Sequence, residues 1–107
     1  MFYMIYVDLS HGVQLAQANA LLGPYAATNA TIVPPSSQGA PQVLGPTVFY
    51  SGSECIVYYY LDGANRIGAS KSRDLRNWVD CTAEVSQLSG LTQGCVFQVP
   101  RSLASSL

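Results

Sequence analysis

Three observations predict an all-β fold of about two four-stranded β-propeller blades plus one extra strand. Residues 43–78, VLGPTVFYSGSECIVYYYLDGANRIGASKSRDLRNW, hold three strand-like runs, their turns and a closing Asp-Leu-x-x-Trp corner. Each run is short, rich in Tyr and β-branched residues, and bounded by Gly, Ser, Asn or Asp, as strands joined by tight turns are. The first half of the chain repeats the pattern: an offset of 53 residues sets Tyr6 on Tyr59, Ala16 on Ala69, Leu22 on Leu75 and Tyr25 on Trp78. A period near ~50 residues with about four short strands per unit is that of propeller blades. An immunoglobulin-like sandwich has a similar strand count, but its Cys…Trp…Cys order needs wider spacing than a Cys81 that follows Trp78 so closely.

Taken in order, FYMIYVD (residues 2–8) reads as a strand that enters a turn at Leu9-Ser10-His11-Gly12. VQLAQA (13–18) alternates apolar residues with Gln, which makes it a hairpin partner with one buried face. Gly23-Pro24 marks a turn before a strand around Ala30–Val33. These residues, 1–33, form the first blade-like unit, and PPSSQGAPQ (34–42) is a Pro/Ser/Gly loop between units. In the second unit, 43–83, Gly45-Pro46 precedes the strand TVFY, then come ECIVYYYL, a turn at Asp62-Gly63-Ala64-Asn65, RIGASKS, and a fourth strand over Asn77–Cys81. Residues 84–107 read as a loop and the start of a further strand, Cys95–Val99, ended by Pro100.

The chain of 107 residues is 49% hydrophobic and carries a net charge of −1. Only 10% of its residues are charged, against about 25% in an average soluble domain, so it has much surface to bury and few groups to keep wet. No cluster of Lys or Arg offers the concentrated positive charge that nucleic acid or an anionic membrane needs as a partner. No apolar run approaches the ~20 residues of a membrane helix. The N-terminal MFYMIYVDLS lacks a basic region and a small-residue cleavage site, and reads as a strand rather than a signal peptide. Cys55, Cys81 and Cys95 contain no C-x-x-C pair and have only His11 as an imidazole companion, so neither a metal site nor a cofactor is expected, and at most one disulfide. Asn29-Ala30-Thr31 is a glycosylation sequon.

The residues GPTVF…YYYLDG…IGASKSRDLRNW resemble those of glycoside hydrolase family 43 and its relatives, five-bladed propellers that act on arabinose- and xylose-containing glycans. Gly45-Pro46, Phe49, Tyr58–Tyr60, Asp62, Ala69, Ser70, Ser72, Asp74, Leu75, Asn77 and Trp78 carry the resemblance, and FYMIYVD…VQLAQANALLGPY is similar to the preceding blade. Hydrolysis there needs two carboxyl groups, about 6.5–9.5 Å apart in inverting enzymes, one to protonate the leaving oxygen and one to activate water. The resemblance puts the acid at a Glu before Gly-Pro, where this chain has Leu44, and puts the base and a tuning carboxylate on blades that would precede Met1. Where members carry Arg-His-Gly near the sugar pocket, the chain reads Thr92-Gln93-Gly94. General acid catalysis contributes about 10²–10⁴-fold, so a catalytically incompetent, fragment-like glycosidase is expected.

The candidate substrate-binding residues are Asp8, His11, Asp62 and Gln93. Asp8 and Asp62 end strands beside turns, where they either reach a cleft or cap free backbone N–H groups, the latter being the commoner use. His11 has no nucleophile motif and no carboxylate tied to it by spacing. Of the three consecutive tyrosines, Tyr58 and Tyr60 share one strand face and Tyr59 takes the other, so part of the set must pack inside. Trp78 is either a sugar platform or a packing corner, and Asp74 a corner residue that binds backbone. The partners expected are a glycan or a protein on the Tyr-rich sheet, and self-association through open blade faces.

Overall fold

The computed structural model describes residues 1–8, 10–34, 42–62, 66–86, 99 and 101–104. They form two antiparallel sheets. The first has the order β1 (Phe2–Asp8), β2 (Gly12–Ala18), β3 (Ala26–Val33). The second has the order β4 (Gln42–Tyr50), β5 (Cys55–Asp62), β6 (Arg66–Ser72), β7 (Val79–Asp80), and is followed by a 3₁₀ turn over Thr82–Glu84. One helical turn, α1 (Arg101–Ala104), lies near the C-terminus, in a stretch read as strand and loop. It directly follows Pro100 in sequence. No helix among the described residues is long and apolar enough to cross a membrane.

The β1–β2 hairpin forms because its register puts Ile5 opposite Leu15 and Val7 opposite Val13, which collects four apolar side chains on one face. β3 is longer than the expected Ala30–Val33: it begins at Ala26, where Ala26 and Ala27 pair with Gln17 and Ala16. Ala and Asn are poor strand formers, and pairing with β2 overrides that preference. The ladder is irregular there, and Thr28 Oγ1 donates to the Leu15 carbonyl at 2.9 Å inside the gap.

β4 likewise starts earlier than expected, at Gln42, and runs through Gly45-Pro46. Pro46 has no N–H for the ladder, and the register shifts between Leu44 and Thr47 with Gly45 at φ 57°, a bulge placed where proline would otherwise break the pairing. β7 is only two residues long, against the five expected. Asn77 is held by Asp74 rather than by β6, so pairing begins at Val79. The ladder then ends at Thr82, whose Oγ1 accepts from the Ala69 N–H at 3.1 Å. Residues 95–98 of the expected last strand lie outside the described residues, and Val99 is not in a strand.

The ladders also correct the repeat. Tyr6 pairs with Gln14 and Tyr59 with Gly68, so if β1 falls on β5 at an offset of 53, β2 falls on β6 at 54. Leu15, not Ala16, is therefore the counterpart of Ala69. The extra residue is taken up in the second hairpin's longer turn: Asp8 pairs with Gly12, but Leu61 with Arg66.

The sheets pack face to face. Val13, Leu15, Ile32 and Val33 of the first meet Val43, Val57, Tyr59 and Leu61 of the second, and Ile5, Val7, Leu75 and Trp78 border this core. Tyr59 is buried in it, whereas Tyr58 and Tyr60 lie half-buried on the other face of β5, the division that strand alternation requires. Ser70 Oγ donates to the Ile32 carbonyl at 3.4 Å, a polar link between the sheets.

Tyr59 lies over Gly68, its cross-strand partner. A Cβ at Gly68 would come within 2.2 Å of the buried ring. Gly68→Ala therefore forces ring or strand to move, with an expected loss of about 1–3 kcal/mol in urea denaturation. An unchanged midpoint would mean that the ring is free to yield.

Candidate functional site

An apolar cleft of about 480 Å³ lies where β1 and the β4–β5 hairpin meet. Tyr3 and Ile5 enter it from β1, Val48 and Tyr50 from β4, and Leu75 from the β6–β7 corner. Tyr50 is exposed, and its hydroxyl donates to the Gly52 carbonyl at 3.1 Å, which fixes the ring at the mouth. A second cleft, about 400 Å³, lies on the other side of the same corner and adds Gln17, Thr28 and Arg76. Tyr3, Leu15, Asp74 and Leu75 line both, so the corner divides one gap between the sheets into two.

The corner is built from Ser72 and Asp74. Buried Ser72 Oγ accepts from the N–H groups of Asp74 (3.2 Å) and Leu75 (2.9 Å) and donates to Asp74 Oδ1. Asp74 Oδ1 accepts from the N–H groups of Arg76 (2.9 Å) and Asn77 (2.8 Å), and Oδ2 from Asn77 Nδ2 (2.8 Å). These bonds hold Leu75 at φ 63°, a backbone region unusual for a residue with a side chain, and turn it towards the core. The Asn77 and Arg76 N–H groups, with the Asn77 amide, keep the Asp74 carboxyl well below the usual carboxylate range.

Asp8 and His11 are brought together, which corrects the expectation that no carboxylate is tied to the histidine. His11 Nδ1 lies 3.0 Å from Asp8 Oδ2 across the turn, the His11 N–H donates to the Asp8 carbonyl, and Asp8 Oδ1 accepts from the Ser10 N–H at 2.9 Å. The Ser10 N–H first, and His11 next, lower the Asp8 carboxyl. Asp8 thus caps backbone, and neither residue lines the two clefts between the sheets. Asp62 ends β5 opposite Gln42, and Leu44 lies in β4 opposite Tyr60. The side chains of Asp62 and Leu44, and Gln93 as a whole, lie outside the described residues.

The remaining described carboxylates are engaged as well. Glu84 lies 3.3 Å from Lys71 Nζ, Glu54 lies 3.8 Å from Arg73 Nε, and Asp80 Oδ1 accepts from the Thr82 N–H at 2.8 Å. Cys55 and Cys81 are free, buried thiols whose pKa values are pushed up by burial, the opposite of what a nucleophile or metal ligand needs. No group of three metal-ligating side chains occurs among the described residues. Trp78 borders the core, its Nε1 buried and without a partner among the described residues, so it is a packing corner rather than an exposed sugar platform. Tyr3 and Tyr50 are the aromatic groups at the cleft that sequence reasoning missed. The only signal for Tyr50 was its place at a strand end before Ser51-Gly52-Ser53.

Compared with models of known protein families, with curated proteins and with solved structures, the chain matches none.

The corner makes two predictions. Ser72→Ala leaves the Asp74 and Leu75 N–H groups without their acceptor and should cost about 1–3 kcal/mol in denaturant unfolding. Because Asp74's folded pKa is depressed, its contribution to stability is present above the unfolded value of ~3.9 and is lost as pH falls through the folded one. The denaturation midpoint of the wild type should fall below about pH 4, while Asp74→Asn should begin lower and vary less. Parallel profiles for the two proteins would remove Asp74 from the account.

Proposed function

We propose that the chain is a partial, catalytically incompetent protein of the glycoside hydrolase family 43 type, two blades of a five-bladed propeller. Complete relatives of that type hydrolyse O-glycosidic bonds in arabinose- and xylose-containing glycans. In this reading the chain retains a glycan-binding cleft without the hydrolytic step. The reading is supported by two repeated sheets packed face to face and by the Ser-x-Asp-Leu corner that locks one against the other.

The observation that carries the loss of catalysis is the state of the carboxylates. A glycosidase acid must hold its proton near neutral pH, which needs a raised pKa. Asp8 and Asp74 are shifted the other way, by hydrogen bonds that favour the charged form. Glu54, Glu84 and Asp80 are tied to Arg73, Lys71 and the Thr82 N–H. Leu44 stands where the resemblance puts the acid, and a leucine has no proton to donate.

Binding falls to the 480 Å³ cleft, where the exposed rings of Tyr3 and Tyr50 offer flat apolar surfaces to the C–H face of a sugar. A second reading, a non-enzymatic β module that binds a protein segment, is favoured by the apolar walls of the same cleft, Ile5, Leu15, Val48 and Leu75.

Incubated with p-nitrophenyl arabinofuranoside and xyloside, the chain should release no p-nitrophenol above background. Release abolished by Asp8→Asn or Asp62→Asn would overturn the loss of catalysis. Calorimetric titration with arabino- and xylo-oligosaccharides should show weak binding, made about 3–10-fold weaker by Tyr50→Ala, the energy of one ring contact. No binding to either series would leave the protein-binding reading.

A further inference from the structure

The repeat that relates the two sheets also relates their faces. The first sheet turns the Ile5–Val7 side of β1 towards the second, which meets it with the Val57–Tyr59–Leu61 side of β5. At the offset of 53, Ile5 and Val7 stand on Tyr58 and Tyr60, whereas Phe2 and Met4 stand on Cys55 and Val57. The two sheets therefore meet front to back. The contact uses the front of the first sheet and the back of the second, and leaves the back of the first and the front of the second outside it. Exposure follows this division: Cys55 is 7% and Val57 0% exposed, but Phe2 is 40% and Met4 45%.

The corners repeat the contrast. Leu75 is the knob of the existing interface, packed on the core and lining the clefts between the sheets. Between β2, which falls on β6 at 54, and β3, whose Ala26 falls on Val79 of β7 at 53, the offset returns to 53; at 53 Leu75 falls on Leu22, in the turn between β2 and β3 and 97% exposed. The hole repeats too. Tyr3, Leu15 and Gln17, which line the cleft beside Leu75, correspond by the ladders to Ile56, Ala69 and Lys71. Those three line a cleft of about 290 Å³ on the front of the second sheet, together with Tyr58 and Cys81. Among the described residues there is thus one knob packed at the edge of its hole, one exposed knob and one open hole.

We propose that a second copy of this chain docks head to tail on the first, with Leu22 of one copy entering the cleft over Ile56, Tyr58 and Ala69 of the other. The occupant follows from the interface already present, because the face that matches a free front is the back the same chain carries, on which Phe2 and Met4 are exposed, as are Leu21 and Leu22 in the turn after β2. The contact is heterologous, so the two copies contribute different surfaces. It rests on the two-sheet repeat and not on any glycan chemistry, so failure of the sugar titrations leaves it untouched.

That asymmetry gives the test. Sedimentation velocity of the full chain should show a coefficient that rises with concentration. Leu22→Arg removes the knob from an exposed site, and Tyr58→Lys puts a charge in the hole. Each alone should weaken self-association about 10-fold or more, the worth of one buried leucine. An equimolar mixture of the two should restore a 1:1 complex at wild-type affinity, because the intact Leu22 of one variant meets the intact hole of the other. Far-UV circular dichroism melts check each fold, and Ile56→Thr replaces Tyr58→Lys if the latter melts early. A wild type that stays monomeric, variants that associate as well as the wild type, or a mixture that forms no complex would each overturn the proposal.

Discussion

The left-handed backbone at Leu75 is the constraint on which the arrangement of the two sheets depends. A leucine does not adopt φ 63° without help, and the help comes from Ser72 Oγ and the Asp74 carboxylate, which take up the N–H groups of residues 74 to 77. With those groups satisfied, the chain reverses in a few residues and Leu75 is delivered to the boundary between the sheets. The second sheet then presents Val57, Tyr59 and Leu61 to Val13 and Leu15 of the first, and the clefts on either side of the corner are what remains of the gap. A polar corner on the surface thus sets the shape of an apolar interface.

The same bonds account for the state of the charges. Carboxylates that hold turns together are stabilised in their ionised form, and a group so stabilised is poorly placed to donate a proton near neutrality. Asp8 at the first hairpin and Asp74 at the corner both follow this rule. A chain with few charges, most of them spent on turns and ion pairs, leaves recognition to apolar and aromatic surface. The glycan-binding and protein-binding readings therefore converge on the same cleft and differ in the ligand they assign to it.

Much of the fold was legible in the sequence because its strongest strands alternate cleanly and end at turn residues. β1, β2, β5 and β6 follow from FYMIYVD, VQLAQA, ECIVYYYL and RIGASKS almost residue for residue. The start of β3 was hidden because Ala26 and Ala27 have no strand preference of their own and become strand only against β2. The start of β4 was hidden because Gly45-Pro46 reads as a break until the bulge that accommodates it is seen. An ungapped offset could not reveal that one hairpin turn is longer, and so set Ala16 rather than Leu15 on Ala69. The clefts were illegible for a different reason: Tyr3, Tyr50 and Leu75 are far apart in the chain, and only the docking of the sheets brings them together. The Asp8–His11 pair was missed although its members are three residues apart, because the turn, and not the spacing, points the ring at the carboxylate.

Every strand ladder among the described residues joins elements adjacent in sequence, β1 to β2 to β3 and β4 to β5 to β6 to β7. Hairpin pairing closes short loops, so little chain entropy opposes formation of either sheet. The non-local terms are confined to the meeting of the sheets, through Ser70 and Ile32 and through the insertion of Leu75. The chain therefore divides into two locally encoded pieces and one costly docking step, and cooperativity between the sheets passes through the surface that the Ser72–Asp74 corner aligns.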